Sequence, residues 1–246
     1  MARFTRRKAL EVLGSAGFAA VAAACGSSSP TSPSSTSSST TSTTGTTGTA
    51  NGSACVVSPE ETIGPYPDIT GMLNNPAFNR RDVTEGRAGT PLTLNLTVVN
   101  VKSGCAAVAN AAIEIWQCDA AGNYSEYSQP GFNGVGQTFL RGVQTTDSAG
   151  TVSFATIYPG WYNGRATHIH VEVYISAQRV KVTQIAFPEN VSAQVYAQGV
   201  YASKGQNTTS NARDGVFSDG VDDELATVTG SAASGLTASL TIGVSF

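Results

Sequence analysis

Charge is scarce in this chain, and basic residues cluster nowhere beyond its first ten positions. Only 13% of the 246 residues are charged, and there are just two histidines, two methionines and two tryptophans. Setting residues 1–24 aside removes Arg3, Arg6, Arg7, Lys8 and Glu11, which leaves 10 Lys+Arg against 16 Asp+Glu, a formal net charge of −6. Such an acidic surface argues against nucleic acid or anionic lipid as a partner. The apolar stretch at residues 12–24 is 13 residues long, short of the ~20 that a membrane span needs. No long stretch keeps a 3.6-residue apolar period, which speaks against a helical bundle, and no internal repeat is visible. Apolar residues nevertheless make up 40% of the chain, enough for the core of one domain of ~200 residues.

The N-terminus reads as an address. Arg3, Arg6, Arg7 and Lys8 form a basic region ahead of the weakly apolar 12–24 stretch, the layout of a secretory signal. Thr5-Arg6-Arg7-Lys8-Ala9-Leu10 resembles a twin-arginine export signal. Ala22-Ala23-Ala24-Cys25-Gly26 resembles a lipobox, which would make Cys25 the lipidated first residue of the mature chain; the alternative is an ordinary signal cleaved nearby. Residues 26–53 are almost entirely Ser, Thr and Gly. They offer no apolar surface to offset ordering entropy, so this segment is expected to be a flexible tether. The chain thus divides into a signal (1–24), a lipidated cysteine with its linker (25–53) and one folded domain (54–246), held at the cell envelope through the anchor alone.

That domain is expected to be all-β, an antiparallel β-sandwich. Residues 92–98 and 236–242 alternate apolar and polar with period two. Further strand-like runs span 112–116, 152–157, 168–174 and 180–187, divided by turn-rich segments such as 119–122 and 147–150. Many short strands separated by turns favour a sandwich or barrel. Cys55, Cys105 and Cys118 remain for pairing in an oxidising envelope. A bridge between Cys105 and Cys118, across a short loop and strand, is the favoured pairing and leaves Cys55 free; three buried thiols are the alternative.

Both histidines lie in one strand-like run, His168 and His170, separated by Ile169. Residues i and i+2 of a strand share a face, so the two imidazoles project together while Ile169, Val171 and Val173 face the core. Paired imidazoles are natural metal ligands; two surface histidines on an edge strand are the plainer reading. Arg165 sits three residues upstream, and Tyr158 and Tyr162 lie in the aromatic turn that leads in. Imidazoles joined by phenolates make a hard anionic donor set suited to Fe(III), whereas a structural zinc site would call for thiolates.

Three stretches carry a family resemblance: Ile115-Trp116-Gln117-Cys118-Asp119-Ala120-Ala121-Gly122-Asn123-Tyr124, Tyr158-Pro159-Gly160-Trp161-Tyr162 and Arg165-Ala166-Thr167-His168-Ile169-His170. Taken in order, they resemble the intradiol ring-cleavage dioxygenases, the catechol, hydroxyquinol and protocatechuate dioxygenases. Thr62-Ile63-Gly64-Pro65-Tyr66 is similar to an N-terminal motif of that family, with Ile63 where an acidic residue is common, and Thr183-Gln184-Ile185-Ala186-Phe187 to its strand after the histidines. The resemblance covers roughly residues 62–244.

It implies a mononuclear non-haem Fe(III) held by Tyr124, Tyr162, His168 and His170, with no organic cofactor. Tyr162 would be the ligand released when substrate arrives and Tyr124 the one retained, although Tyr127 competes for that place. Arg165 and Gln184 would be catalytic, Pro65 and Tyr66 would wall the substrate pocket, and the reactants would be a catechol-type aromatic and O2. Two rivals stand beside this reading. One is a two-histidine, one-carboxylate Fe(II) site of His168, His170 and Glu172 on one strand face. The other is a non-catalytic β-sandwich that binds an aromatic or a glycan at a decayed site.

Overall fold

Alternation of apolar and polar side chains builds two sheets that share one core. The computed structural model describes residues 55–246; the proposed signal, Cys25 and the Ser/Thr linker lie outside the described residues. The strands, in chain order, are β1 (Pro91–Asn100), β2 (Ala106–Ala107), β3 (Ala112–Trp116), β4 (Ser128–Gln129), β5 (Phe132–Asn133), β6 (Arg141–Thr145), β7 (Thr151–Ile157), β8 (His168–Ile175), β9 (Gln178–Ala186), β10 (Thr227–Ser231) and β11 (Gly235–Val244). A helix, α1 (Glu189–Tyr196), follows β9.

In the first sheet β1 pairs in parallel with β11 on one side and antiparallel with β7 and β2 on the other, while β10 pairs antiparallel with β11. The second sheet runs β6-β3-β8-β9, antiparallel throughout. The alternating faces expected at residues 92–98 and 236–242 are present. Leu92, Leu94, Leu96 and Val98 pack with Leu236, Ala238, Leu240 and Ile242 against Ile113, Ile115, Ile169, Val171, Val173 and Ile185 of the second sheet. Burying each of these leucine, isoleucine and valine side chains contributes about 1.5–3 kcal/mol. β6, β10 and α1 have no counterpart among the strand-like runs: β6 and β10 each carry a single valine and a glycine, and the eight-residue α1 is barely two turns, so no apolar period shows.

β8 lies between β3 and β9, so the histidines are on an interior strand and not on an edge. Its outer face is covered as well: residues 58–83 cross it, with Glu61 N–H donating to Val182 O and Arg80 N–H to Val143 O. Seven consecutive polar and apolar positions of this region, from Thr167 to Val173, are therefore buried.

The disulfide joins Cys55 to Cys105, with 5.7 Å between their Cα atoms, and Cys118 is the buried free thiol. This corrects the expected Cys105–Cys118 bridge. β3 intervenes between those two cysteines, and its five residues alone carry the chain ~16 Å along the sheet, beyond the ~7 Å that a disulfide spans. Cys118 ends in the aromatic cluster with Trp116 and Tyr124. Cys55 instead reaches Cys105 because Ser58 N–H donates to Gly243 O, and Gly243 N–H to Ser58 Oγ, laying the N-terminal segment along the end of β11. Closing a separation of 50 residues stabilises the fold by about 4 kcal/mol on the chain-entropy account.

Candidate metal centre

The outer face of the second sheet carries a row of side chains in register. Trp116 stands opposite Arg141 on β6 and His170 on β8, and His170 stands opposite Gln184 on β9. The Trp116 and His170 rings are parallel with centroids 4.7 Å apart. Gly64 backs onto His170: a Cβ there would lie 2.8 Å from the ring's Cε1, and its φ of +72° suits glycine. The imidazole is thus clamped between an indole and a glycine backbone.

Two tyrosine-bearing turns close over this row. The first is the turn at residues 119–122, capped by the Asp119 carboxylate, which accepts from Ala121 N–H and Asn123 N–H. It delivers Tyr124, fully buried, whose own N–H donates to Gln129 Oε1 at 2.6 Å. The second, at residues 158–162, delivers the half-buried Tyr162. Of the two tyrosines in that turn only Tyr162 faces the histidines. Tyr158 points into the core, where its hydroxyl meets Ser192 Oγ at 2.7 Å.

Four donor atoms converge. His168 Nε2 lies 3.2 Å from His170 Nε2, 3.4 Å from Tyr124 Oη and 3.3 Å from Tyr162 Oη. Its Nδ1 is 2.6 Å from Ala166 O, so the proton sits on Nδ1 and the Nε2 lone pair faces the other three donors. Burial holds all four groups neutral. It pulls His168 down to about 3 and His170 well below its ordinary value, and it pushes Tyr162 up to about 12 and Tyr124 well above the ordinary phenol range. Two neutral imidazoles and two phenols sharing one point fit a hard trivalent cation, which would also draw off the phenolic protons.

The other predicted residues fall around this point. Tyr66 stacks on Tyr124 at 4.6 Å and meets Tyr162 edge-on at 6.1 Å, and Pro65 is exposed beside it. Arg165 approaches His168 Nε2 with Nη1 at 3.5 Å and donates from Nη2 to Gln184 Oε1 at 2.5 Å. Tyr127 does not compete for the centre, because its hydroxyl donates to Pro67 O. Glu172 is also committed elsewhere, accepting from Tyr174 Oη and Arg179 Nη1. Among the described residues, no group of three or more His, Cys, Asp and Glu side chains is placed to hold a metal. The two-histidine, one-carboxylate arrangement is therefore not formed. A cleft of about 390 Å³ lined by Thr167, Asn190, Tyr196, Asn207 and Ser210 lies apart; none of the four donors lines it.

Glu172 has a further consequence. It stands directly opposite Glu114, and burial together with this carboxylate raises Glu114 to about 8. The fold thus retains the Glu114 proton more strongly than the unfolded chain does, so this group's contribution is full below pH ~4.5 and is lost as pH rises through about 8. Glu114→Gln, which mimics the protonated form, is expected to be more stable than the parent at pH 8.5 by on the order of 2 kcal/mol and nearly equal at pH 4.5. Urea midpoints at the two pH values measure this, and an equal difference at both would refute it.

Three contributors carried no signal that marked them in the sequence. A buried Arg141–Glu126 pair, 3.4 Å apart, fastens residues 66–70 to the Tyr124 loop, with Arg141 also donating to Tyr66 O and Ser125 O. Asp214 grips Arg165 through Nε at 2.8 Å. Trp116 lies within the Ile115–Tyr124 stretch, but its stacking on His170 follows only from strand register.

A family model described as a dioxygenase matches residues 64–213. An intradiol ring-cleavage dioxygenase from Tetranychus urticae is 28% identical, with a TM-score of 0.68 over 78% of this chain and 95% of that one. The chain belongs to the intradiol ring-cleavage dioxygenase family. A dioxygenase domain from Streptomyces sp. SirexAA-E, part of a fusion with a carbohydrate-binding protein, shares the fold at 24% identity and a TM-score of 0.56, over 77% of this chain and 99% of that one. A 3-chlorocatechol 1,2-dioxygenase from Rhodococcus opacus 1CP shares it at 21% identity and 0.52, covering 76% and 72%. No curated protein matches the chain.

Proposed function

We propose that this chain is a mononuclear non-haem Fe(III) dioxygenase that opens a catechol-type ring between its two hydroxyl-bearing carbons, placing both atoms of O2 in a muconate-type dicarboxylate. The observation that carries this reading is the convergence of His170 Nε2 and the phenolic oxygens of Tyr124 and Tyr162 on His168 Nε2, at 3.2–3.4 Å. Tyr124, Tyr162, His168 and His170 would hold the metal. When bound, Fe(III) would acidify the phenols and a chelated diol and make the aromatic ring reactive toward O2.

The protein's own groups divide the remaining work. Tyr124 is fully buried beneath Tyr66, so it is the phenol that stays. Tyr162 is half-buried on a turn at the domain surface, so it is the phenol that would swing aside, and its oxygen is the acceptor for one catechol proton. Arg165 aims Nη1 at the same point, where a fixed cation stabilises negative charge that develops on the substrate. Gln184 holds the guanidinium on its other side while donating its own N–H to Thr62 O. Tyr66 and Pro65 would flank the ring of the incoming aromatic.

Oxygen uptake tests the reading. The iron-loaded protein, given catechol, hydroxyquinol and 3,4-dihydroxybenzoate, is expected to consume one O2 per ring opened and to release a diacid. Iron-loaded protein that takes up no O2 with any of them would favour the binding-module alternative. The N-terminal 24 residues are proposed to export the folded domain and Cys25 to anchor it. Lysine in place of both Arg6 and Arg7 should then retain the protein inside the cell, and normal surface display of that variant would refute twin-arginine export.

A further inference from the structure

Arg165 can act on the reacting atoms only if its guanidinium is aimed, and a residue 49 positions away does the aiming. Asp214 has no exposed side-chain surface. Both of its carboxylate oxygens accept from Arg165 Nε, at 3.0 and 2.8 Å. The same carboxylate accepts from Ala166 N–H at 2.7 Å and from Val216 N–H at 2.9 Å, so it is itself immobile. Asn207 fastens the same stretch from the other side, its Nδ2–H donating to Arg165 O at 3.0 Å.

A guanidinium has five N–H donors in one plane. Asp214 takes Nε–H and Gln184 takes one hydrogen of Nη2. With those two edges fixed, the planar fork has one orientation left, and it places Nη1 3.5 Å from His168 Nε2, where the four donors meet. We propose that Asp214 is a positioning residue: by gripping Nε it directs the Nη1 edge of Arg165 to the point where negative charge develops during ring opening. This assignment rests on the dioxygenase reading above and extends it to a segment just beyond the matched residues 64–213.

The plainer role for Asp214 is structural, as a cap for the N–H groups of Ala166 and Val216. The two roles part in a double-mutant cycle. Asp214→Asn in the iron-loaded enzyme is expected to lower kcat about 30-fold, with anaerobic binding of catechol changed by less than about 3-fold, because the loss falls on the transition state and not on substrate binding. In an Arg165→Met background the same substitution should slow turnover no further, since the residue it acts through is gone. A crystal structure of Asp214→Asn should show Arg165 turned away from His168. If Asp214→Asn unfolds, Asp214→Glu keeps the charge and the caps within reach but shifts the grip by one methylene, and the same loss of kcat is expected.

An equal additional loss in the Arg165→Met background would overturn the proposal. So would wild-type kcat in either folded Asp214 variant, or an unmoved Arg165 in the variant crystal. A wild-type enzyme that opens no catechol would instead count against the dioxygenase reading, and the crystallographic comparison still decides whether Asp214 aims Arg165.

Discussion

Replacing Tyr124 with Phe is expected to strip the protein of iron, whereas replacing Tyr162 with Phe should leave iron bound and slow ring opening at least about 100-fold. The asymmetry follows from where each phenol sits. Tyr124 is fully enclosed, stacked on Tyr66 and pinned through its own N–H to Gln129. Its oxygen has nowhere else to go, so on the proposed Fe(III) assignment its loss would remove a permanent anionic donor beside two neutral imidazoles. Tyr162 is half-buried on a surface turn, and in the proposed mechanism its loss would remove the base that receives a substrate proton. Tyr127→Phe is the matched control, because that hydroxyl serves only Pro67 O and should cost about 1 kcal/mol of stability with turnover intact. Iron content, and the visible charge-transfer band that a phenolate on Fe(III) gives, read out the first pair directly. Full iron and undiminished turnover in both variants would remove the tyrosines from the centre.

Much of this site was legible because strand geometry is local. That His168 and His170 share a face and that Ile169, Val171 and Val173 share the other follows from a period of two, and the structure places all five accordingly. The motif order further placed Tyr124, Tyr162, Arg165 and Gln184 around the histidines. What stayed hidden depends on contacts between distant segments. Asp214 belongs to an irregular stretch with no periodicity to place it. The burial of Glu114 and Glu172 opposite one another reflects a covered outer face that only the path of residues 58–83 creates. The cysteines failed for a related reason: proximity in sequence favoured Cys105 with Cys118, but an intervening strand separates its ends, and a segment 50 residues upstream supplied the partner.

The second large effect is expected from a residue with no side chain. Gly160 and the turn that precedes Tyr124 touch backbone to backbone: a Cβ on Gly160 would lie 2.2 Å from Asp119 O and 2.8 Å from Ala120 O. Neither oxygen belongs to a flexible side chain, so alanine at this position has to push the two turns apart by on the order of 1 Å to restore a carbon–oxygen contact of ~3.3 Å. Those turns carry Tyr124 and Tyr162, and their separation sets the distance between the two phenols. Overpacking of this kind costs about 1–3 kcal/mol of stability. The cost in function should be larger, because a misplacement of ~1 Å at the reacting centre can lower the rate ~100-fold. Gly160→Ala is therefore expected to stay folded at 25 °C while losing most of its ring opening and binding iron more weakly. Melting temperature, iron content and oxygen uptake measured on one preparation separate these effects. If Gly160→Ala unfolds outright, the contact serves the fold first; if it keeps wild-type turnover, the turns are more pliant than their close approach implies and the tyrosines are positioned by the histidines and the metal instead.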